Sequence, residues 1–186
     1  MILLKKQAAI KLLTGVALVG GAFSPIIASA ATTDSTVEAT VSSVISVTSA
    51  GTVPISVTPT SGGATATATD TVTIASNDAD GYNLTLKDAD ATLSMTGSRG
   101  GTIAATAGTY AAPTALSANT WGYRLADFAA ADTYAGITAT EQNIASTTAV
   151  SAGSGDTVDV TYGVNVDTSI PAGVYTDAVT YTATAK

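Results

Sequence analysis

Carboxylates are the candidate metal-binding or reactive side chains of this sequence. Asp78 and Asp80 stand just before Gly81, and Asp88 and Asp90 follow a short apolar stretch. Carboxylate oxygens at such spacing are typical ligands of Ca²⁺, which takes about six to eight oxygens. The first pair equally indicates an Asx turn closed by Gly81 at positive φ, and we favour that interpretation. We therefore predict no cofactor, with calcium at the four aspartates as the alternative.

The composition excludes several classes of function. The chain contains no His and no Cys, so a Ser-His-Asp triad, a Cys- or His-ligated zinc site and a disulfide framework are all excluded. It has 14 Asp and Glu against seven Lys and Arg, which argues against a nucleic-acid partner, because phosphate binding needs cations. Carboxylate pairs such as Asp156 and Asp159 are interpreted as solvated charge rather than as a glycosidase centre. We predict that the protein is not an enzyme.

Residues 1–30 have the organisation of a secretory signal peptide. Three lysines precede or begin an apolar stretch from Leu12 to Phe23, and small residues at 28–30 match a cleavage site. The stretch is shorter than the ~20 residues that span a bilayer, so no integral membrane segment is predicted for the mature chain. Cleavage after Ala30 removes three of the seven cations, leaving four beside 14 acids and a formal charge of −10. The remainder, residues 31–186, is predicted to be one extracellular domain at the bacterial surface.

Apolar and polar residues alternate along most of the mature chain, which is typical of strands with one buried face. With turn residues between the alternating stretches, the pattern predicts an all-β fold, a single Ig-like or pilin-like antiparallel β-sandwich. Residues 97–119 and 126–156 lack a clean period and are predicted to be long connections with short strands, including a helical turn near 126–131. The alternating stretches lie at 37–47, 53–57, 64–74, 82–86, 121–125, 158–166 and 179–183.

Aromatic residues are the second group of candidate binding residues. Trp121 and Tyr123 share one predicted strand, and Tyr181 lies on the last one. Aromatic rings on an exposed strand would stack on sugars or contact a protein. Filling the core is the interpretation we favour, because large apolar side chains are scarce in this chain.

Two segments resemble the WxL-type domains of bacterial surface proteins. They are Gly81–Leu86, which follows an acidic turn, and Ile170–Ala183, which contains a Pro-x-Gly-x-Tyr sequence. The second segment is also similar to the last strand of spore-coat-U-like secreted pilins. Tyr82 and Tyr181 stand where WxL domains have Trp. The resemblance implies a sandwich held non-covalently on the cell wall. The strand positions expected in the core or at the wall contact are Tyr82, Leu84, Tyr181 and Trp121.

These features together predict an exported structural or binding module that associates non-covalently with the cell wall or surface layer. Its partners would be a cell-wall polymer or other surface proteins, and a homo-oligomer is compatible with them. The alternative is a self-assembling pilin-like or surface-layer subunit. Residues 36–48 are predicted to form one long strand that would complete the sheet of a second copy. Pairing of this strand within its own domain is the interpretation we prefer.

Overall fold

The computed structural model describes residues 30–90 and 92–186, and Val41–Lys186 form its compact unit. The predicted signal peptide, except for Ala30, lies outside the described residues. Residues 30–40 are exposed and form no strand. Both described ranges are free of helices. A helix long and apolar enough to cross a membrane is accordingly lacking from them.

Ten strands are found in the described residues, and in β2 and β3 burial alternates from residue to residue as the sequence predicts. In chain order they are β1 (Ile45–Thr48), β2 (Ala64–Ser76), β3 (Tyr82–Asp88), β4 (Met95–Gly97), β5 (Thr102–Ala105), β6 (Thr120–Arg124), β7 (Gln142–Ser146), β8 (Asp156–Val166), β9 (Tyr175–Thr176) and β10 (Val179–Ala185).

The strands form two sheets that share one core. The larger sheet has seven strands in the order β1-β2-β8-β6-β5-β4-β9, and the smaller has three in the order β10-β3-β7. Ile74 of β2 and Val160 of β8 are buried in the same cluster as Leu84 and Leu86 of β3. The predicted all-β sandwich is therefore confirmed.

The longest pairing, between β2 and β8, explains why the chain is rich in Thr and Val. These strands are antiparallel from Ala64 opposite Val166 to Ile74 opposite Asp156. On the exposed face, the hydroxyls of Thr69 and Thr161 lie 2.9 Å apart. Because β-branched side chains are stiff and pack well on a pleated surface, Thr outside and Val inside both favour the strand.

Two local predictions were wrong, and one strand pair departs from the antiparallel pattern. β5 and β6 are parallel; the connection between them, residues 106–119, is long enough for the chain to return in the same direction. The alternating residues Val53 and Val57 are half-buried but belong to no strand, so their alternation reflects packing on the core. The helical turn near 126–131 is replaced by hydrogen-bonded turns, the first closed by Phe128 N–H on the Leu125 carbonyl at 3.2 Å.

The long strand predicted over residues 36–48 was wrong in extent. β1 begins at Ile45, which lies opposite Ser76 of β2 in the same chain. After Ser76, β2 gives way to a turn in which the Asn77 side chain accepts the Val44 N–H at 2.7 Å and donates to the Ser42 carbonyl at 2.9 Å. The pairing of β1 with β2 therefore ends here, because β2 ends at Ser76 and has no residue left to pair with the chain before Val44.

A pair of facing glycines lets a loop cover the large sheet on the side opposite to Trp121. Gly122 of β6 lies opposite Gly163 of β8. A Cβ atom at Gly122 would stand 2.5 Å from the carbonyl oxygen of Ala135, and one at Gly163 would stand 2.4 Å from the Tyr134 ring. The loop approaches this closely only because neither strand carries a side chain there.

Candidate functional site

The residues predicted to bind a ligand lie mostly in the core. Leu84, Tyr82, Tyr123 and Trp121 are exposed by only 0%, 1%, 2% and 3%. Tyr82, Leu84 and Tyr123 therefore fill the core and present almost no surface to a polymer. Trp121 and the half-buried Tyr181 differ from them, because both line a cavity beside β10.

Two adjoining cavities lie beside β9 and the segment that follows β1. The first, which we call the β10 cavity, has a volume of about 360 Å³, and the second has about 530 Å³. Both are lined by Val53 and Ile55, which lie between β1 and β2, and by Tyr175 and Thr176 of β9. The β10 cavity alone contains carboxylates, and its polar and aromatic lining comprises Asp70, Trp121, Tyr162, Tyr175, Asp177 and Tyr181.

A buried aspartate contributes to the wall of the β10 cavity. Asp70 on β2 is only 3% exposed, and its Oδ1 accepts the Ala50 N–H at 2.9 Å. The Tyr181 hydroxyl interacts with the same carboxylate and lies 2.7 Å from the Tyr162 hydroxyl. Burial is the main cause that raises the pKa of both phenols. Both hydroxyls therefore stay protonated at neutral pH and are available as hydrogen-bond donors.

The buried carboxylate of Asp70 has no cationic partner in the described part of the chain. Among residues 30–90 and 92–186, the one salt bridge joins Lys87 and Glu141 at 3.5 Å. Aromatic rings adjoin the site instead, with the centroids of Trp121 and Tyr162 separated by 6.4 Å. The cavity thus combines negative charge with an apolar aromatic lining.

The aspartates Asp78 and Asp80 form the turn that the sequence indicates. The Asp80 N–H donates to Asp78 Oδ1 at 3.0 Å, and Gly81 has a φ of 83°. The Ser43 hydroxyl donates to the second oxygen of Asp78 at 3.2 Å. These contacts account for the Asp-x-Asp-Gly sequence as an Asx turn that holds the chain before β1.

The other two candidate calcium ligands belong to a different group. Asp88 and Asp90 meet Asp177, with carboxylate oxygens of all three within 4.8 Å of one another. The pairing of β3 with β10 causes this contact, because it places Asp88 opposite Val179. The four predicted aspartates therefore do not form one site. Asp78 and Asp80 form a turn, whereas Asp88 and Asp90 form a cluster with Asp177.

Asp177 belongs to both the carboxylate cluster and the β10 cavity. Burial is the main cause that raises its pKa to about 6, and the charges of Asp88 and Asp90 raise it further, against the lowering effect of the Ala178 N–H. That N–H donates to Asp177 Oδ1 at 2.8 Å. The cavity therefore gains negative charge as the pH rises through about 6.

Asp177→Asn is expected to raise the melting temperature by about 2–4 °C near pH 7.5 and to leave it unchanged near pH 4. The pKa of Asp177 is about 6 in the folded chain against an ordinary value of 3.8. Between these values the folded state binds more protons than the unfolded state, so the stability that Asp177 contributes falls as the pH rises. Thermal unfolding at both pH values measures the effect. Asp34→Asn, at an exposed carboxylate, is the control, and equal gains at both pH values would contradict the prediction.

Sequence reasoning missed Asp70 and Asp177, although one of them left a clear signal. Asp70 occupies an apolar position of the alternation, in phase with Ala68 and Val72. A carboxylate at a buried strand position requires partners, and that requirement alone marks it as a candidate site. Asp177 carries no such signal, because its role depends on the register between β3 and β10.

The fold and the cavity define a class: an all-β sandwich with an acidic, aromatic-lined pocket between strands. Comparison of the chain with protein-family models, curated proteins and solved structures finds no match.

Proposed function

We propose that this protein is an exported structural and binding module that associates non-covalently with the cell wall or surface layer. The observation that carries the proposal is the β10 cavity, a concave site lined by aromatic and carboxylate side chains. Linings of this kind bind ligands by stacking on their apolar faces and by accepting hydrogen bonds from their polar groups. The signal-like segment at residues 1–30 supports export, and the resemblance to WxL-type domains supports contact with the wall.

The cavity is held by the most regular part of the sandwich. Asp70, Trp121 and Tyr162 lie on β2, β6 and β8, which are neighbours or next neighbours in the large sheet. The Trp121 indole is fixed by a hydrogen bond from Nε1 to the Leu93 carbonyl at 3.1 Å. Side chains on paired strands lose little freedom when a ligand binds, so a site built this way favours affinity.

A retention assay on purified cell-wall sacculi tests the proposal. The protein without residues 1–30 is expected to sediment with sacculi, and Thr176→Trp is expected to lower the retained fraction at least about fivefold by filling the cavity mouth. Thr176 is exposed and lines both cavities. Thr157→Trp, an exposed position on β8 that lines neither cavity, is the matched control and should be retained like the wild type. Failure of the wild-type protein to sediment at low and moderate salt would refute wall association.

A self-assembling surface subunit is the second candidate, and exposed valines favour it. Val37 and Val41 are 93% and 82% exposed, and both lie in a stretch without a strand. A segment that holds exposed apolar residues outside a sheet can add as a strand to the sheet of a second copy. Deleting residues 31–41 leaves β1 and the Asn77 contacts intact, so loss of polymers in electron micrographs with an unchanged circular dichroism spectrum would support assembly. Monomers of the undeleted protein at all concentrations would exclude it.

A further inference from the structure

We infer that the β10 cavity binds an alkylammonium group, with the Asp70 carboxylate as its counter-ion. The inference rests on the proposed function and names the chemistry by which the module would hold a surface polymer. Its basis is the combination of a buried carboxylate, a second carboxylate and several aromatic rings around one cavity.

The charge of Asp70 is unmatched within the described residues. Moving a carboxylate out of water is costly unless hydrogen bonds and an opposite charge compensate for the lost hydration. Asp70 has the Ala50 N–H at 2.9 Å and the Tyr181 hydroxyl as partners. Neither carries a positive charge, and the salt bridge of the described residues lies elsewhere, at Lys87 and Glu141. A cation in the cavity would supply the missing charge.

The lining of the β10 cavity determines which kind of cation fits it. Trp121, Tyr162, Tyr175 and Tyr181 line the cavity together with aliphatic side chains such as Val53. Aromatic rings attract ammonium groups through their negative faces, and aliphatic side chains gain from contact with the attached alkyl carbons. A hard metal ion needs about six oxygen ligands instead. The lining therefore favours an organic cation over a bare metal ion.

A second carboxylate adds to the negative charge of the cavity. Asp177 lines the same cavity, and its Oδ2 is buried without a hydrogen-bond partner among the described residues. Asp88 and Asp90 lie within 4.8 Å of Asp177, oxygen to oxygen, and add to the negative potential at this end of the cavity. The volume of about 360 Å³ falls within the range of about 300–1,000 Å³ that is usual for small-ligand pockets.

Titration with choline and with its neutral carbon isostere, 3,3-dimethyl-1-butanol, tests the inference. The two molecules have nearly the same shape and differ in charge. Choline is expected to shift the backbone amide resonance of Asp70 and the indole N–H resonance of Trp121 in ¹⁵N–¹H spectra. The neutral isostere is expected to bind at least about tenfold more weakly, because it lacks the attraction to the carboxylate. Equal binding of the two molecules would overturn the inference.

Substitutions assign the binding to Asp70. Asp70→Asn keeps an oxygen that accepts the Ala50 N–H but removes the charge, and is expected to weaken choline binding at least about tenfold. Asp34→Asn removes one exposed charge elsewhere and should leave binding unchanged. If Asp70→Asn does not fold, Asp177→Asn is the second variant, with an expected loss of about threefold or more. Unchanged binding in folded Asp70→Asn, or a wild type that binds neither choline nor n-butylammonium, would refute the inference.

A third arm separates the sources of the ammonium group and separates this inference from the proposed function. n-Butylammonium replaces choline in the titration, and sacculi acetylated on their free amines replace untreated sacculi in the retention assay. Stronger binding of n-butylammonium with loss of retention on acetylated sacculi assigns the ligand to primary amines of the wall. Stronger binding of choline with unchanged retention assigns it to quaternary head groups. Retention of the wild-type protein without binding of either ammonium probe would leave wall association standing and reject the ammonium site.

Discussion

Replacing Leu84 with alanine is expected to lower the free energy of unfolding by about 2–5 kcal/mol. Leu84 is fully buried at the centre of β3, opposite Ala183 of β10 and Ala145 of β7. Both cross-strand neighbours are small, so they cannot extend into the space that the lost methyl groups leave. Urea unfolding followed by far-ultraviolet circular dichroism measures the change.

Leu93→Ala is the control that distinguishes a core role of the Gly81–Leu86 segment from a role in surface contact. Leu93 is 36% exposed, and its truncation is expected to change the free energy of unfolding by less than about 1 kcal/mol. A large loss at Leu84 alone assigns the leucine of the WxL-like segment to the core. A mild loss of stability at Leu84 combined with loss of retention on sacculi would assign it to a surface contact and contradict its burial.

The second large effect is expected at Gly122, where the close approach of a loop leaves no room for a side chain. Gly122→Ala is expected to destabilise the fold by about 1–3 kcal/mol. The new Cβ would stand 2.5 Å from the Ala135 carbonyl oxygen and 2.9 Å from Cγ2 of Thr106. That carbonyl accepts the Tyr123 N–H at 2.9 Å, so the loop cannot move away without breaking its bond to β6. Urea unfolding again provides the measurement.

Gly62→Ala is the matched control for this substitution. A Cβ at Gly62 would meet no atom within 4 Å, and the change is expected to stay within about 0.5 kcal/mol of the wild type. Comparable losses at the two positions would contradict the prediction, because the restriction that alanine places on the unfolded chain favours folding and cannot produce a loss. The close approach of the loop to β6 would then not be the cause.

The period of the apolar residues made the main strands predictable. Val158 to Val166 alternate and form the core-facing side of β8, and the same argument locates β2, β3 and β10. This works because successive strand residues point to opposite faces, so one buried face imposes a period of two. The pattern at Val53 and Val57 misled for the same reason, since an extended segment packed on a core shows the period without pairing.

The candidate site was far less accessible to prediction, because pairing and register assemble it. Asp88 and Asp177 are distant in the chain and come together through the alignment of β3 with β10. Alternation locates strands but does not choose their partners, and a shift of one residue would turn every side chain to the other face. Asp70 was the exception, since a charge at a buried position of β2 is visible in the alternation itself.

The placement of Trp121 makes its fluorescence a probe of both folding and cavity occupancy. It is the chain's single tryptophan, it is 3% exposed, and it lines the β10 cavity. Its fluorescence therefore originates from one site that lies in the core and borders the cavity at once. Emission of the unlabelled protein would move to longer wavelength when the sandwich unfolds, and would change in intensity when the cavity fills, so folding and occupancy can be followed in the same cuvette.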